Sequence, residues 1–367
     1  MSGTIGATAT AGYGTMTSLV ADAQTVRQRL DQLNTQASTG LIGQTYAALG
    51  AGAPVSLNLR PQLAAMQTWQ GNINAASAQM QVAQTALQQI NSIASSFYAD
   101  TNTLTNLNPS QVDSTAQAAQ QALQQVAGLL NSSDGGIYVF GGQDSANPPL
   151  PDAQNILGSG FFTQIRSAVA GLAGSGAASV IASTLATAGS NAVGTSPFSA
   201  ALSQPAAALQ AALPSVATGP GQQKAIGIPA SANAFVASTG SSTTGSYSRD
   251  ILRALATIGS LGSGQVNDAG FAAVVQDAHT SLGDAITALN QDAGVLGNTQ
   301  STLQAEQTAL ASTTTALRTQ LSGVEDADMA TTLSQLSQTE TRLQASYQLL
   351  SGLQSYSLAK FLAPPMG

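Results

Sequence analysis

The residues able to do chemistry are few and far apart. His279 is the only histidine, and the chain has no cysteine. One imidazole without thiols cannot assemble a metal cluster, so His279 reads as a solvent-facing helix residue. Asp284, Asp292 and Glu306 fall inside a long leucine repeat and read as solvated helix charges rather than an acid/base pair. Glu325, Asp326 and Asp328 in "EDAD" could offer oxygens to calcium, but the ligand spacing of an EF-hand is missing. Acids there suit the positive end of a helix. "GSGFF" (158–162) and "GPGQQK" (219–224) match neither the dinucleotide fingerprint nor the P-loop and read as loops. "NSS" at Asn131 fits a glycosylation triplet, as many unrelated sequences do. No nucleophile, base and orienting group come together. The expectation is no catalytic residue, no cofactor and no metal, and hence no enzyme.

The elements that would position such residues point instead to self-association. Of 367 residues, only 7% are charged, against about 25% in ordinary soluble proteins. A polar but uncharged surface lacks one usual barrier to association. The net charge is −7, and the ten Lys and Arg are scattered. No basic cluster could neutralise a run of phosphates, so nucleic acid is not an expected partner. The opening "MSGTIGATATAGYGTM" has neither a positive region nor a long apolar one, and does not read as a cleaved signal peptide. No stretch has about 18 continuous apolar residues, so membrane insertion is not expected.

Both ends carry heptads. Met16, Leu19, Ala23, Val26, Leu30, Leu33 and Ala37 alternate at spacings of three and four, the period of a coiled coil. Gly40 is a natural stop, and "ALGAGAPVSLNLRPQ" reads as a link. A second helix is expected from about Gln62 to Tyr98, and a third from "NPSQVD", with Asn108 or Ser110 as its cap. Leu282, Leu289, Leu296, Leu303, Leu310, Leu317 and Val324 recur every seventh residue in a long helix. Met329, Leu333, Leu336, Leu343, Tyr347 and Leu350 continue in a last one. From 140 to 265 the texture changes to Gly, Ala, Ser and Thr, with prolines at 148, 149 and 151. "IYVFGG" and "KAIGIPA" are candidate strands, a short helix is expected near 161–173, and 175–245 reads as expendable.

Each end has one long apolar seam and too few helices to cover it, so the two ends should pack together. The expected fold is mainly α: a long antiparallel coiled-coil bundle of paired N- and C-terminal helices (1–140 and 266–367), with a smaller α+β variable, surface-exposed domain inserted at 141–265. The closing "RLQASYQLLSGLQSYSLAKFL" puts Leu343, Tyr347, Leu350, Leu353, Leu358 and Phe361 on several sides of one helix, which requires burial on several sides. With Leu19, Val26, Leu30 and Leu33 they form the candidate assembly interface.

Three stretches then carry a family resemblance. "RQRLDQLNTQASTGL" (27–41) resembles the first helix of bacterial flagellins, which ends in "STG". "QTWQGNINAASAQMQVAQTALQQI" (67–90) is similar to their second helix, and "DADMATTLSQLSQTETRLQASYQLLSGLQSYSLAKFL" (326–362) resembles their C-terminal signature. "DGGIYVFGGQDSANPPLPD" (134–152) looks like a segment of the hook–filament junction proteins of the same family, while "SGTIGATATAGYGTM" departs from the usual opening. The resemblance implies export of the unfolded chain to the bacterial flagellum and a role in motility. It also implies polymerisation with copies of itself, contact with other flagellar axial proteins and an export chaperone. Filament subunit and junction protein are both open, and a secreted adhesin built on the middle region is a more distant reading.

Overall fold

The computed structural model describes the backbone of residues 6–104, 106 and 108–362, and the side chains of 17–104, 106 and 108–352. It divides into two compact units. The terminal unit comprises the residues up to Ala65 and those from Ser312 onward, and the central unit is Met66–Ala311. The divisions fall inside two long helices.

In the terminal unit, α1 (Gly6–Thr39) pairs with α9 (Met329–Leu362). Gly40 stops α1 with φ +72°, the left-handed value that ends helices at glycine. The two helices run antiparallel: Leu41 and Asp326 form an antiparallel bridge, Ala327 N–H donates to the Gly40 carbonyl at 2.8 Å, and Arg29 Nη2 donates to Gln335 Oε1 at 3.0 Å. Asp328 caps α9, its Oδ1 accepting from Ala330 N–H at 3.0 Å, as acids at a helix start should. Glu325 does not join it there. It is the last residue of α8 (Phe271–Glu325) and pairs with Arg60.

The sequence expected α2 to open near Gln62, after a proline-bearing link. It opens at Ala53 and runs to Leu104, with Pro61 inside it. Proline has no N–H to give to the residue 57 carbonyl. Leu57 and Pro61 both lie on the exposed face, where water can satisfy that carbonyl, while Ser56, Leu59 and Leu63 are buried on the other.

In the central unit, α2 and α8 lie side by side, tied by side-chain hydrogen bonds from Gln307 to Asn74 and from Asn91 to Asn290. Leu282, Leu289, Leu296 and Leu303 are at most 1% exposed, as the seven-residue spacing requires. α3 (Pro109–Leu129) opens with Pro109 and with Asn108 N–H donating to Gln111 Oε1 at 3.0 Å. Its seam, Val112, Ala116, Ala119, Leu123 and Val126, is buried. A hairpin follows, β1 (Ser133–Asp134) with β2 (Ile137–Tyr138), turned by Gly135 and Gly136 at φ +56° and +87°. Two left-handed residues are what a two-residue hairpin loop needs.

The middle region supplies α4 (Gly160–Ala170), near the expected short helix, then α5 (Leu172–Gly189), α6 (Ala206–Ala211), the hairpin β3 (Ser215–Gly219) and β4 (Gln222–Ala225), and α7 (Tyr247–Ile258). α5 has the length and apolarity of a membrane span, but its face of Leu172, Val180, Thr184 and Ala188 is packed into the core. α7, not foreseen from the sequence, is buried at all twelve positions, packed on α3, α4 and α5. Its hydrophobic residues join those of α2, α3 and α8 in one core.

A buried helix must satisfy its polar side chains. Arg253, wholly buried, gives Nη1 to Asp277 at 2.9 Å and Nη2 to the Ser242 carbonyl and hydroxyl. Arg249 donates to the carbonyls of Ser231, Ala188 and Ser190 and to Asn191, and lies over Phe198. Asp250 accepts from the Thr243 hydroxyl and from the N–H and hydroxyl of Thr244, although burial raises its carboxyl above the ordinary range. Apart from Asp277 on α8, the groups that make these bonds come from 188–244, so this stretch covers the polar side of α7, while α3 and α4 cover other parts of it. Deleting 175–245 removes most of α5 and the loop partners of Arg249 and Asp250, leaving those buried charges without bonds. The expected outcome is loss of cooperative unfolding of the central unit, read by near-ultraviolet circular dichroism in urea.

Asp292 also departs from the sequence expectation. It is fully buried, and its carboxylate accepts the N–H groups of Ala234, Phe235 and Val236 at 2.8–3.0 Å. Burial still leaves its carboxyl above the ordinary range. Removing it leaves one buried and two half-buried donors without an acceptor, a buried one costing about 1–3 kcal/mol. Asp292→Ala should therefore destabilise the central unit by about 2–3 kcal/mol in urea denaturation.

Candidate assembly surface

The residues singled out for chemistry resolve into structural roles. His279 is half-buried, not solvent-facing: its ring stacks on Tyr98 with centroids 4.0 Å apart, and Nδ1 lies 2.9 Å from the Thr101 hydroxyl. Asp284 packs against Gly240, where a Cβ would collide with its carboxylate. Glu306 pairs with Lys224 at 3.7 Å. Asn131 is closed to modification as it stands, with its amide bonded both ways to Leu150. Among the described residues no group of three His, Cys, Asp or Glu side chains comes together as a metal site.

The surface that remains is the α1/α9 coil. On α1 the seam is Leu19, Ala23, Val26, Leu30, Leu33 and Ala37, of which Leu33 and Ala23 are buried and the others half-buried. On α9 the inward positions are Thr332, Leu336, Thr339, Leu343, Ser346 and Leu350. Leucine fills only every second seam position, and hydroxyl residues fill the rest. Thr339 and Ser346 donate back to the carbonyls of Gln335 and Arg342, so they are satisfied without bonding across the seam.

Three α9 residues assigned to that seam from the sequence lie off it. Met329 is 38% exposed, Leu333 51% and Tyr347 49%. At about 100° per residue, Leu333 and Tyr347 flank the seam on one side, and Leu349, 61% exposed, flanks it on the other. A single antiparallel partner covers one stripe, so these side chains stay in water. Val20 on α1, 43% exposed, does likewise. The side chains of Leu353, Leu358 and Phe361, also expected in the interface, lie outside the described residues.

These features define a class: a mainly helical protein whose two chain ends pair into one coil and leave apolar side chains uncovered beside the seam. The bacterial flagellin N-terminal helical region matches residues 15–145, and the bacterial flagellin C-terminal helical region matches residues 280–362, together more than half of the chain. The chain belongs to the bacterial flagellin family. That family is one of structural, non-enzymatic proteins of the bacterial flagellar filament, exported and self-assembling. No curated protein matches the chain.

A half-polar, two-helix seam has little to hold it in an isolated molecule, whereas the central unit has a continuous core. Hydrogen exchange on the purified monomer should show amides of 17–33 and 336–350 exchanging far faster than those of Leu87, Leu123 and Leu289. Equal protection of the two sets would show that the coil needs no further partner.

Proposed function

We propose that this chain is the bulk subunit of the flagellar filament and that it polymerises through the α1/α9 coil. The observation that carries this reading is the set of apolar side chains on both flanks of the seam: Leu333 and Tyr347 on one, Leu349 on the other. A coil open on both flanks can be covered by a different copy on each, the open, heterologous contact that extends without limit. In this reading Leu19, Val26, Leu30, Leu33, Leu343 and Leu350 hold the coil together, and Tyr347, with Leu353, Leu358 and Phe361, is assigned to the contact with other copies. The low charge of the surface supports dense packing of identical copies.

Before assembly the same flanks would need cover, which is the role assigned to an export chaperone. Other axial proteins of the flagellum would meet the coil at the ends of the polymer. The middle region, 141–265, would face outward as the variable, surface-exposed domain.

One feature favours the junction branch of the family. "DGGIYVFGGQDSANPPLPD" forms the β1/β2 hairpin and the buried Phe140 and Leu150 that follow it, and it resembles the corresponding stretch of junction proteins. The two branches differ in copy number. Quantitative protein staining of sheared flagella should show this chain as the dominant band. A trace band beside a dominant different subunit would overturn the filament assignment in favour of the junction.

A further inference from the structure

Glu325 sits at the foot of the coil and plays no part in the seam. It is 7% exposed. Its carboxylate accepts from Arg60 Nε and Nη2, both at 2.8 Å, and from the Ser56 hydroxyl. Its carbonyl accepts the Ile42 N–H at 2.7 Å. The Leu41–Asp326 bridge and the Ala327-to-Gly40 bond lie directly beside it. One residue thus holds α2 by its side chain, the link after α1 by its main chain, and the link into α9 by covalent continuity. Both connections between the coil and the foot of α2 and α8, residues 40–52 and 325–328, are pinned at this point.

We propose that Ser56, Arg60 and Glu325 form a lock that sets the direction in which the α1/α9 coil leaves the foot of α2 and α8, and that these three are positioning residues for assembly. The proposal rests on the reading of the coil as the assembly surface. Repeated heterologous contacts need the same geometry in every copy, because an angular error would recur at each addition. A bidentate arginine–carboxylate pair fixes orientation as well as distance, which a point charge does not. In a chain with ten Lys and Arg, spending one here on a buried acid is a marked choice. A half-open pocket of about 240 Å³ lies at the pair, lined by Arg60, Glu325 and the link residues Leu41, Gly43, Tyr46 and Leu49 among others.

The lock carries a pH signature. Hydrogen bonding from Arg60 holds the Glu325 carboxyl below the ordinary glutamate range, helped by Ser56 and the Arg60 charge, with burial opposing. The other ionisable groups at the site are Tyr46, which faces Arg60, and Asp326, whose carboxylate accepts the Ser322 hydroxyl. A depressed carboxyl contributes stability that is complete above the ordinary glutamate range and is lost as pH falls through the depressed value.

The test compares wild type, Glu325→Gln and Arg60→Lys, using amide protection factors on the monomer and high-speed pelleting. Glutamine is isosteric, so the fold should persist. Glu325→Gln should lower protection of the Ile42 and Ala327 amides at least tenfold at pH 7 while Leu87 and Leu123 are unchanged. Wild type should lose the same protection only below the ordinary glutamate range, and Glu325→Gln should show no such step. Arg60→Lys, which keeps the charge but loses the fork, should fall between them, and Glu325→Gln should need a higher protein concentration to pellet. Unchanged protection of Ile42 and Ala327 in Glu325→Gln would overturn the lock. Lost protection with unchanged pelleting would overturn its positioning role. Failure of wild type itself to pellet would count against the filament reading and leave the exchange result standing.

Discussion

Two helices can cover only one stripe of each other. That constraint organises the terminal unit of this protein. α9 needs cover on more than one side, and α1 packs along one stripe of it. The shared seam takes Leu336, Leu343 and Leu350 inward, alternating with Thr332, Thr339 and Ser346. Leu333, Tyr347 and Leu349 remain at 49–61% exposure. Apolar surface left in water is unfavourable by roughly 25 cal/mol per Å² relative to burial. It therefore acts as stored drive for association with whatever can cover it.

The central unit solves the opposite problem. α7 is surrounded, so nothing of it is left to drive association. Being surrounded forces Arg249, Asp250 and Arg253 into the interior, where each must find bonds. They find them in the end of α5, in the loops between α5 and α7, whose Ser, Thr and Asn residues supply hydroxyls, amides and carbonyls, and, for Arg253, in Asp277 of α8. Asp292 does the same from α8, gathering three successive N–H groups of a loop that has no sheet or helix partner. Some of the few charges sit at joints: Asp292 on the 234–236 loop, Arg253 with Asp277 beneath α7, and Arg60 with Glu325 at the elbow.

Periodicity made the long helices legible. Leu282 to Leu303 recur every seventh residue and are buried to within 1%, and Gly40 and Asn108 mark ends because their chemistry does so locally. What could not be read depends on residues far apart in sequence. Pro61 looked like a boundary, but it lies on an exposed face where a helix can lose one hydrogen bond. "YSRDILRALATI" carries two arginines and an aspartate, so nothing in it announces a helix buried on all sides; its cover comes from α3, α4, α5 and the loops up to 246. Asp292 looks like any polar position of a long helix until the 234–236 loop is laid on it. Within α9, the slip that assigned Met329, Leu333 and Tyr347 to the seam came from following leucines. The true inward positions include Thr332, Thr339 and Ser346, which a hydrophobic pattern does not see. The candidate surface was legible in composition and multi-sided apolarity, whereas the Arg60–Glu325 clasp was not, since its partners are 265 residues apart.

The most direct measurement is electron cryomicroscopy of the polymer formed by this chain, at a resolution that places side chains. Leu333, Tyr347 and Leu349 should each be buried against neighbouring copies, with the two flanks of the seam covered by different copies. If those side chains still face solvent in the polymer, and copies touch only through the central unit, then the open coil is not what drives assembly.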